Sequence, residues 1–261
     1  VSESTVRIVM ALPELMGTYG DAGNALVLRR RCEWRGIEAE ITSVPVEDAV
    51  PDSADIYLLG GAETNAQVLA TERLQSDGGL SRAAERGAVV FAVCAGLQIL
   101  GTQFPDVDGT LIAGLGLLDL VTRQLPVPRA IGEVISDPDP SLGISVLTGF
   151  ENHGGRTTVG PAAKPLGRVR HGVGNGGGGG DDGAIQGRVV GTYLHGPALA
   201  RNPDLADLLL GWVVGPLDPL PREEVDEWRR ERLHAFDRPD DGRRARLGRA
   251  VRSTGRWRRG S

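Results

Sequence analysis

Aromatic residues make up only 4% of the 261-residue chain, cysteine occurs twice, and lysine occurs once, at Lys164, against 28 arginines. With so few aromatics, the core must be built from Leu, Val, Ile and Ala. Two cysteines, Cys32 and Cys94, cannot form a disulfide framework and read as free thiols in a reducing compartment. No apolar run approaches the roughly 18 residues of a membrane-spanning helix. No positive segment followed by an apolar one opens the chain as in a signal peptide, so a cytoplasmic location is expected. There is no G-x-x-x-x-G-K-[ST] stretch, hence no sign of a P-loop for ATP, and no His/Cys spacing of a metal site. No cofactor is expected in this chain.

What is present is an ordinary soluble composition, 40% hydrophobic and 24% charged. The charge is uneven. Residues 1–221 carry 16 basic and 26 acidic groups, whereas residues 222–261 carry 13 basic and 8 acidic ones. This asymmetry predicts one domain over 1–221 and a separate charged, Arg-rich tail over 222–261, partly disordered.

Within 1–221, apolar runs alternate with helical patterns. Residues 6–12, 37–44, 56–59 and 88–93 read as strands. Residues 22–34, 66–74 and 79–86 read as helices. The wholly apolar 88–93 has the pattern of a central parallel strand. This alternation predicts an α/β fold with a doubly wound, mostly parallel, flavodoxin-like sheet. Past residue 117, short strands at 117–121, 144–150, 166–169, 184–185 and 189–193 predict antiparallel additions, and 204–214 predicts a closing apolar helix. Residues 172–183 contain a formal G-x-G-x-x-G. They lack the strand-then-helix context of a dinucleotide site and are expected to form a flexible hairpin loop.

The most informative stretch is Val93-Cys94-Ala95-Gly96-Leu97-Gln98. A buried strand runs into a cysteine flanked by small residues, and an apolar helix follows. A nucleophile elbow needs this pattern, because the turn is too tight for bulky neighbours. The end of a central strand is where open α/β sheets place their sites, and a helix N-terminus favours a thiolate. The Ala95 N–H would face a developing oxyanion. The alternative is a buried structural cysteine, which is the expectation for Cys32. Gly60-Gly61 ends the preceding strand; an N–H there could face the attacked carbonyl, or the pair could be a simple turn. Of the four histidines, His195 follows an apolar strand and precedes Gly196-Pro197, which makes it the leading base candidate. His171 and His234 are expected to be exposed. His153 is expected to shape the site without doing chemistry.

The elbow, the Gly60-Gly61 turn and Thr192-Tyr193-Leu194-His195-Gly196 together resemble the class I glutamine amidotransferases. Residues 149–157 and the Leu194-His195-Gly196-Pro197 ending resemble the cobyric-acid-synthase-like branch, and within it Tyr19-Gly20-Asp21-Ala22-Gly23-Asn24 and Gly149-Phe150-Glu151-Asn152-His153 resemble the GatD family of lipid II isoglutaminyl synthase subunits. The resemblance covers about residues 6–215. It implies a glutaminase in which Cys94 forms a γ-glutamyl thioester and His195 shuttles the proton. Gly61 and Ala95 would hold the oxyanion, Gln98 would orient the site, and Arg129 would hold the glutamine α-carboxylate, which a guanidinium can bind bidentately.

It further implies a heterodimer with a MurT-like Mur ligase subunit. That partner would carry ATP and magnesium and accept ammonia for amidation of the D-glutamate α-carboxyl of lipid II, at the inner face of the membrane. Nucleic acid is not an expected partner.

One departure stands out. Class I amidotransferases place a Glu two residues after the histidine, and here that position is Pro197. Asp204 and Asp207 are unconvincing substitutes. The resemblance therefore implies a third acid supplied in trans by the partner. Competing expectations are another acceptor such as a cobyrinate-like substrate, a DJ-1/PfpI-type Cys protein, or a noncatalytic binding module. In the tail, residues 223–233 could form a charged helix. Past Asp241 there are eight Arg and no acid, a solvated tail or an electrostatic contact.

Overall fold

A computed structural model describes residues 5–18, 20–221 and 223–237. The first half alternates strands and helices: β1 (Val6–Ala11), α1 (Gly23–Glu33), β2 (Ala39–Val44), β3 (Ile56–Leu59), α2 (Thr64–Asp77), α3 (Gly79–Glu85), β4 (Val89–Val93) and α4 (Ala95–Leu100). The second half is mostly strand: β5 (Gln103–Pro105), β6 (Leu111–Ala113), β7 (Leu120–Gln124), β8 (Ala130–Pro138), β9 (Leu147–His153), β10 (Gly155–Val159), β11 (Gly167–His171), β12 (Asp181–Asp182), β13 (Ala184–Gln186) and β14 (Val189–Thr192). Two helices, α5 (Ala198–Arg201) and α6 (Pro203–Val214), follow.

The main sheet has six strands in the order β13-β14-β4-β3-β1-β2, all parallel except β13, which pairs antiparallel with β14. This is the expected α/β fold with a mostly parallel sheet. Two further four-stranded sheets, β10-β7-β5-β6 and β12-β11-β8-β9, supply the antiparallel additions, apart from a short parallel pairing of β5 with β7. Every residue of β4 is buried, as a strand covered on both faces requires. The helices cover the sheet through periodic apolar faces: Ala25, Leu28 and Cys32 on α1, Ala70 and Leu74 on α2, Leu205 and Leu209 on α6. Each fully buried Leu of this kind contributes about 1.5–3 kcal/mol. The α1 and α6 helices are also clamped by a charged fork, Arg31 to both Asp207 oxygens at 2.6 Å, with Arg35 adding a bond of 2.9 Å. The two guanidinium donors of that fork outweigh burial and hold the Asp207 carboxyl below the usual range.

Several elements differ from expectation. The longest strand, β8, is absent from the sequence reading, since Gly132, Asp137 and Pro138 look like turn residues. It forms because β9 and β11 pair with it on both sides. The glycine-rich segment is anchored rather than loose. Glu151 accepts the N–H groups of Val173 and Gly174 at 2.7 and 2.8 Å, and Asn175 exchanges two hydrogen bonds with the Gly183 backbone. The chain divides into two compact units, 1–219 and 220–261. In the second unit, α7 (Glu223–Asp237) opens with Glu223, Glu224 and Asp226, acidic residues suited to a helix N-terminus. The Arg-rich stretch past Asp241 lies outside the described residues. Among the described residues, no helix is long and apolar enough to cross a membrane.

Candidate active site

The carboxyl ends of β1, β3, β4 and β14 lie at one edge of the sheet, and the chemistry gathers there. Cys94 follows β4 directly, with φ +56° and ψ −106°. Such a conformation in a non-glycine residue costs about 1–3 kcal/mol and needs support from its surroundings. Hydrogen bonds supply it: Cys94 N–H donates to Thr192 O at 2.8 Å, Gly96 N–H to Gly60 O at 3.2 Å, and Gln98 N–H to Cys94 O at 3.2 Å. These tie the turn to β14, to the end of β3 and to its own helix. Ala95 is the first residue of α4, so its N–H has no intrahelical acceptor and stays available to a ligand.

Cys94, Ala95, Gln98 and Arg129 line one small cavity of about 130 Å³, with Gln67, Asn152 and His153 among its other walls. Gln98 is held at both ends of its amide: Gln67 donates to its oxygen at 3.0 Å, and it donates to the Tyr193 hydroxyl at 3.0 Å. Thr157 Oγ1 bonds the same hydroxyl at 2.7 Å, and the Tyr193 ring stacks on His153 with centroids 3.7 Å apart. His153 thus forms a wall of the pocket, and its Nε2 lies 3.4 Å from Glu151. Burial pushes the Tyr193 hydroxyl up to about 12, so it stays a neutral hydrogen-bonding post. At the mouth, the Arg129 guanidinium is fixed by two bonds to Asn152, Nε to Oδ1 at 2.6 Å and Nη2 to the carbonyl at 2.9 Å.

His195 lies just past β14, 2% exposed. Its backbone is locked to Phe150 by two hydrogen bonds, of 2.8 and 3.2 Å. Its Nδ1 faces Asp21, at 3.3 Å from Oδ2 and 3.4 Å from Oδ1. Burial opposes a charge on the ring, but hydrogen bonds to Asp21 and Cys94 prevail and lift its pKa to about 9. A ring that keeps its proton through neutral pH thus lies next to the Cys94 sulfur.

One sequence expectation changes here. Asp21, an acid of this chain on the loop after β1, faces His195 Nδ1. The Gly61 N–H, expected to face an oxyanion, instead donates to Asp21 Oδ2 at 2.8 Å. Gly60 takes part through its carbonyl, which accepts from Gly96. Asp204 accepts from the Ser145 N–H at 3.1 Å and Asp207 belongs to the arginine fork, so neither serves His195 in this way. Sequence reasoning missed Asp21, Gln67, Tyr193 and Asn152 as contributors. Only Asp21 had a usable signal: an acid in a Gly-flanked loop at the carboxyl end of a parallel strand.

The domain family described as "CobB/CobQ-like glutamine amidotransferase domain" matches residues 7–203. The chain is 34% identical over 201 residues to the lipid II isoglutaminyl synthase (glutamine-hydrolyzing) subunit GatD of Staphylococcus aureus (strain N315), covering 76% of this chain and 80% of that protein. A GatD subunit of Streptococcus pneumoniae (strain ATCC BAA-255 / R6) is also 34% identical, covering 74% of each. A cobyric acid synthase of Sphingopyxis alaskensis is 34% identical over 66% of this chain but only 34% of its own length. A crystal structure described as a glutamine amidotransferase shares the fold, with a TM-score of 0.54 at 20% identity, covering 78% of this chain and 98% of that one.

Proposed function

The chain belongs to the CobB/CobQ-like glutamine amidotransferase family, and from that premise we propose that it hydrolyses L-glutamine at Cys94 and supplies ammonia to a MurT-like Mur ligase subunit that amidates the D-glutamate α-carboxyl of lipid II. The observation that carries this reading is the convergence of Cys94, His195, Asp21 and Arg129 at one edge of the sheet, three of them held in place by hydrogen bonds. ATP and magnesium belong to the ligase subunit.

The reaction follows from the groups present. Arg129 takes the α-carboxylate of glutamine at the pocket mouth, which directs the side-chain amide inward toward Cys94. The thiolate attacks the amide carbon, and the Ala95 N–H holds the resulting oxyanion. The C–N bond breaks as His195 passes a proton to the nitrogen, which leaves as ammonia. Water then adds to the thioester with His195 taking its proton; the C–S bond breaks, and glutamate and the free thiol are released. Gln98, pinned by Gln67 and Tyr193, keeps the pocket wall rigid during both steps.

The decisive experiment is co-purification with the Mur-ligase-like subunit and mass spectrometry of lipid II after incubation with glutamine and ATP. Glutamine-dependent addition of one amide, lost in Cys94→Ala and restored by ammonium chloride, is the expected result. Amidation of a cobyrinate-like acceptor with lipid II untouched would instead select the cobyric-acid-synthase-like reading, which the similarity to those enzymes also supports.

A further inference from the structure

We propose that Asp106 binds the α-ammonium group of glutamine and so sets the preference of the pocket for an amino acid over an amide acid that lacks the amino group. This role rests on the glutaminase reading above and deepens it.

At neutral pH the α-carbon of free glutamine carries a carboxylate and an ammonium side by side. A pocket that fixes this end of the molecule needs a cation for the first and an anion close by for the second. Arg129 supplies the cation. Two carboxylates line the same cavity, those of Glu63 and Asp106. Elsewhere in the fold such charges are matched within the protein, as in Arg31 with Asp207, Arg170 with Asp137 and Arg201 with Glu133. Among the described residues, Arg129, Glu63 and Asp106 make no ion pair, and the guanidinium bonds go to the neutral Asn152. Charges of both signs left unmatched in one cavity wall suit a ligand that carries both.

Three observations select Asp106 over Glu63 and set it at the α-carbon end. First, its carboxylate is already fixed. Oδ1 accepts the N–H groups of Asp108 and Thr110, both at 2.9 Å, and the Asp106 N–H donates to Thr110 O at 2.9 Å. This tight turn holds the side chain and leaves Oδ2 for a ligand, so little freedom is lost on binding. Glu63 is exposed at the start of α2, and its side chain makes no capping bond there. Second, β5 and β7 pair in parallel with Gln103 opposite Val121. Three residues further along each chain, Asp106 comes level with Gln124, and both line the cavity. Third, Gln124 adjoins the guanidinium. A Cβ at Gly154 would lie 3.5 Å from Gln124 Oε1 and 3.9 Å from Arg129 Nη1, the nitrogen that Asn152 does not hold. A carboxylate on Nη1 therefore sits beside Gln124, and Gln124 is level with the acid that would take the ammonium.

The test uses Asp106→Asn and Glu63→Gln in the full chain, each combined with Cys94→Ala, alone and in complex with the ligase subunit. Asparagine keeps the oxygen that the Asp108 and Thr110 N–H groups require and removes only the charge. Calorimetric binding is compared for L-glutamine and for 4-carbamoylbutanoate, the same molecule without its amino group. Asp106→Asn should weaken glutamine binding about tenfold, the lower end for a charge-assisted hydrogen bond at a half-exposed site, and should weaken 4-carbamoylbutanoate by less than about twofold. Glu63→Gln should change either ligand by less than about twofold. With Cys94 intact, the Asp106→Asn defect should fall on KM for glutamine, with kcat near the parental value.

Equal weakening of the two ligands by Asp106→Asn would mean a purely structural role and would overturn the proposal. So would unchanged glutamine binding, or a loss that appears in Glu63→Gln instead. A parent that binds both ligands equally well would also overturn it, and glutamate release by the parent complex would leave the glutaminase reading intact. If the parent complex releases no glutamate from glutamine yet Asp106→Asn abolishes its preference for glutamine over 4-carbamoylbutanoate, the glutaminase reading fails while the ammonium site stands.

Discussion

Replacing Arg129 tests whether the pocket recognises an amino-acid carboxylate. Two of the guanidinium nitrogens are held by Asn152, at 2.6 and 2.9 Å, and this leaves donors for a ligand entering the pocket that Arg129 lines. A charge-assisted hydrogen bond contributes about 1.5–3 kcal/mol when shielded from water. Arg129 is exposed at the mouth, so solvent screening puts the expected value at the lower end, about 1.5 kcal/mol. Since 1.4 kcal/mol is about tenfold in an equilibrium constant, Arg129→Ala should weaken glutamine binding about tenfold. Because the carboxylate is remote from the breaking C–N bond, the loss should fall on KM with kcat changed little. Arg129→Lys should recover only part, because an ammonium cannot bond bidentately while also holding Asn152. Asn152→Ala should give a smaller defect by letting the guanidinium swing. The measurements are glutamate release against glutamine concentration, and calorimetric binding of glutamine to Cys94→Ala with and without Arg129→Ala. Unchanged glutamine affinity in the double variant would refute carboxylate recognition by Arg129.

Three further outcomes are expected. Iodoacetamide should label Cys94 and spare Cys32, whose thiol is fully buried and pushed up by that burial to about 11; peptide mapping that finds Cys32 alkylated in the native protein would contradict this. His195 should make stability fall at high pH. Its folded pKa of about 9 exceeds the ordinary 6.5, so the folded state holds the extra proton between these values. The stabilisation, about 3 kcal/mol, is complete below pH 6.5 and lost as pH rises through 9. Urea unfolding at pH 6 and pH 10 should show this loss in the parent and not in His195→Gln. Tyr193→Phe should cost about 1–3 kcal/mol in the same assay, because a buried Gln98 N–H loses its acceptor; a change under about 0.5 kcal/mol would mean the amide finds another partner.

The elements legible in the sequence are those whose signal is local. Strand β3 and the central strand β4 stand out as unbroken apolar runs. The elbow at Cys94 is legible because its small neighbours are adjacent in the chain. Strand β8 does not stand out because Gly132 interrupts its Ile and Val residues and Asp137-Pro138 close it like a turn. It exists through the hydrogen bonds of β9 and β11, which lie up to tens of residues away. In the same way Glu151 turns a glycine-rich stretch into an anchored hairpin by a contact no window of sequence contains.

The division is sharpest at the site itself. By itself the sequence singled out Cys94 as the candidate nucleophile, His195 as the candidate base and the parallel sheet that presents them, since each rests on a run of neighbouring residues. The partner of the histidine was decided only by the tertiary structure. Asp21 and His195 are 174 positions apart, and nothing about a Gly-flanked aspartate announces which imidazole it will meet. The order β14-β4-β3-β1 sets both residues at the same edge, and the glycines at 23 and 60 let their loops close. That closure puts a buried carboxylate against the ring, and a long-range packing of this kind cannot be read from either segment alone.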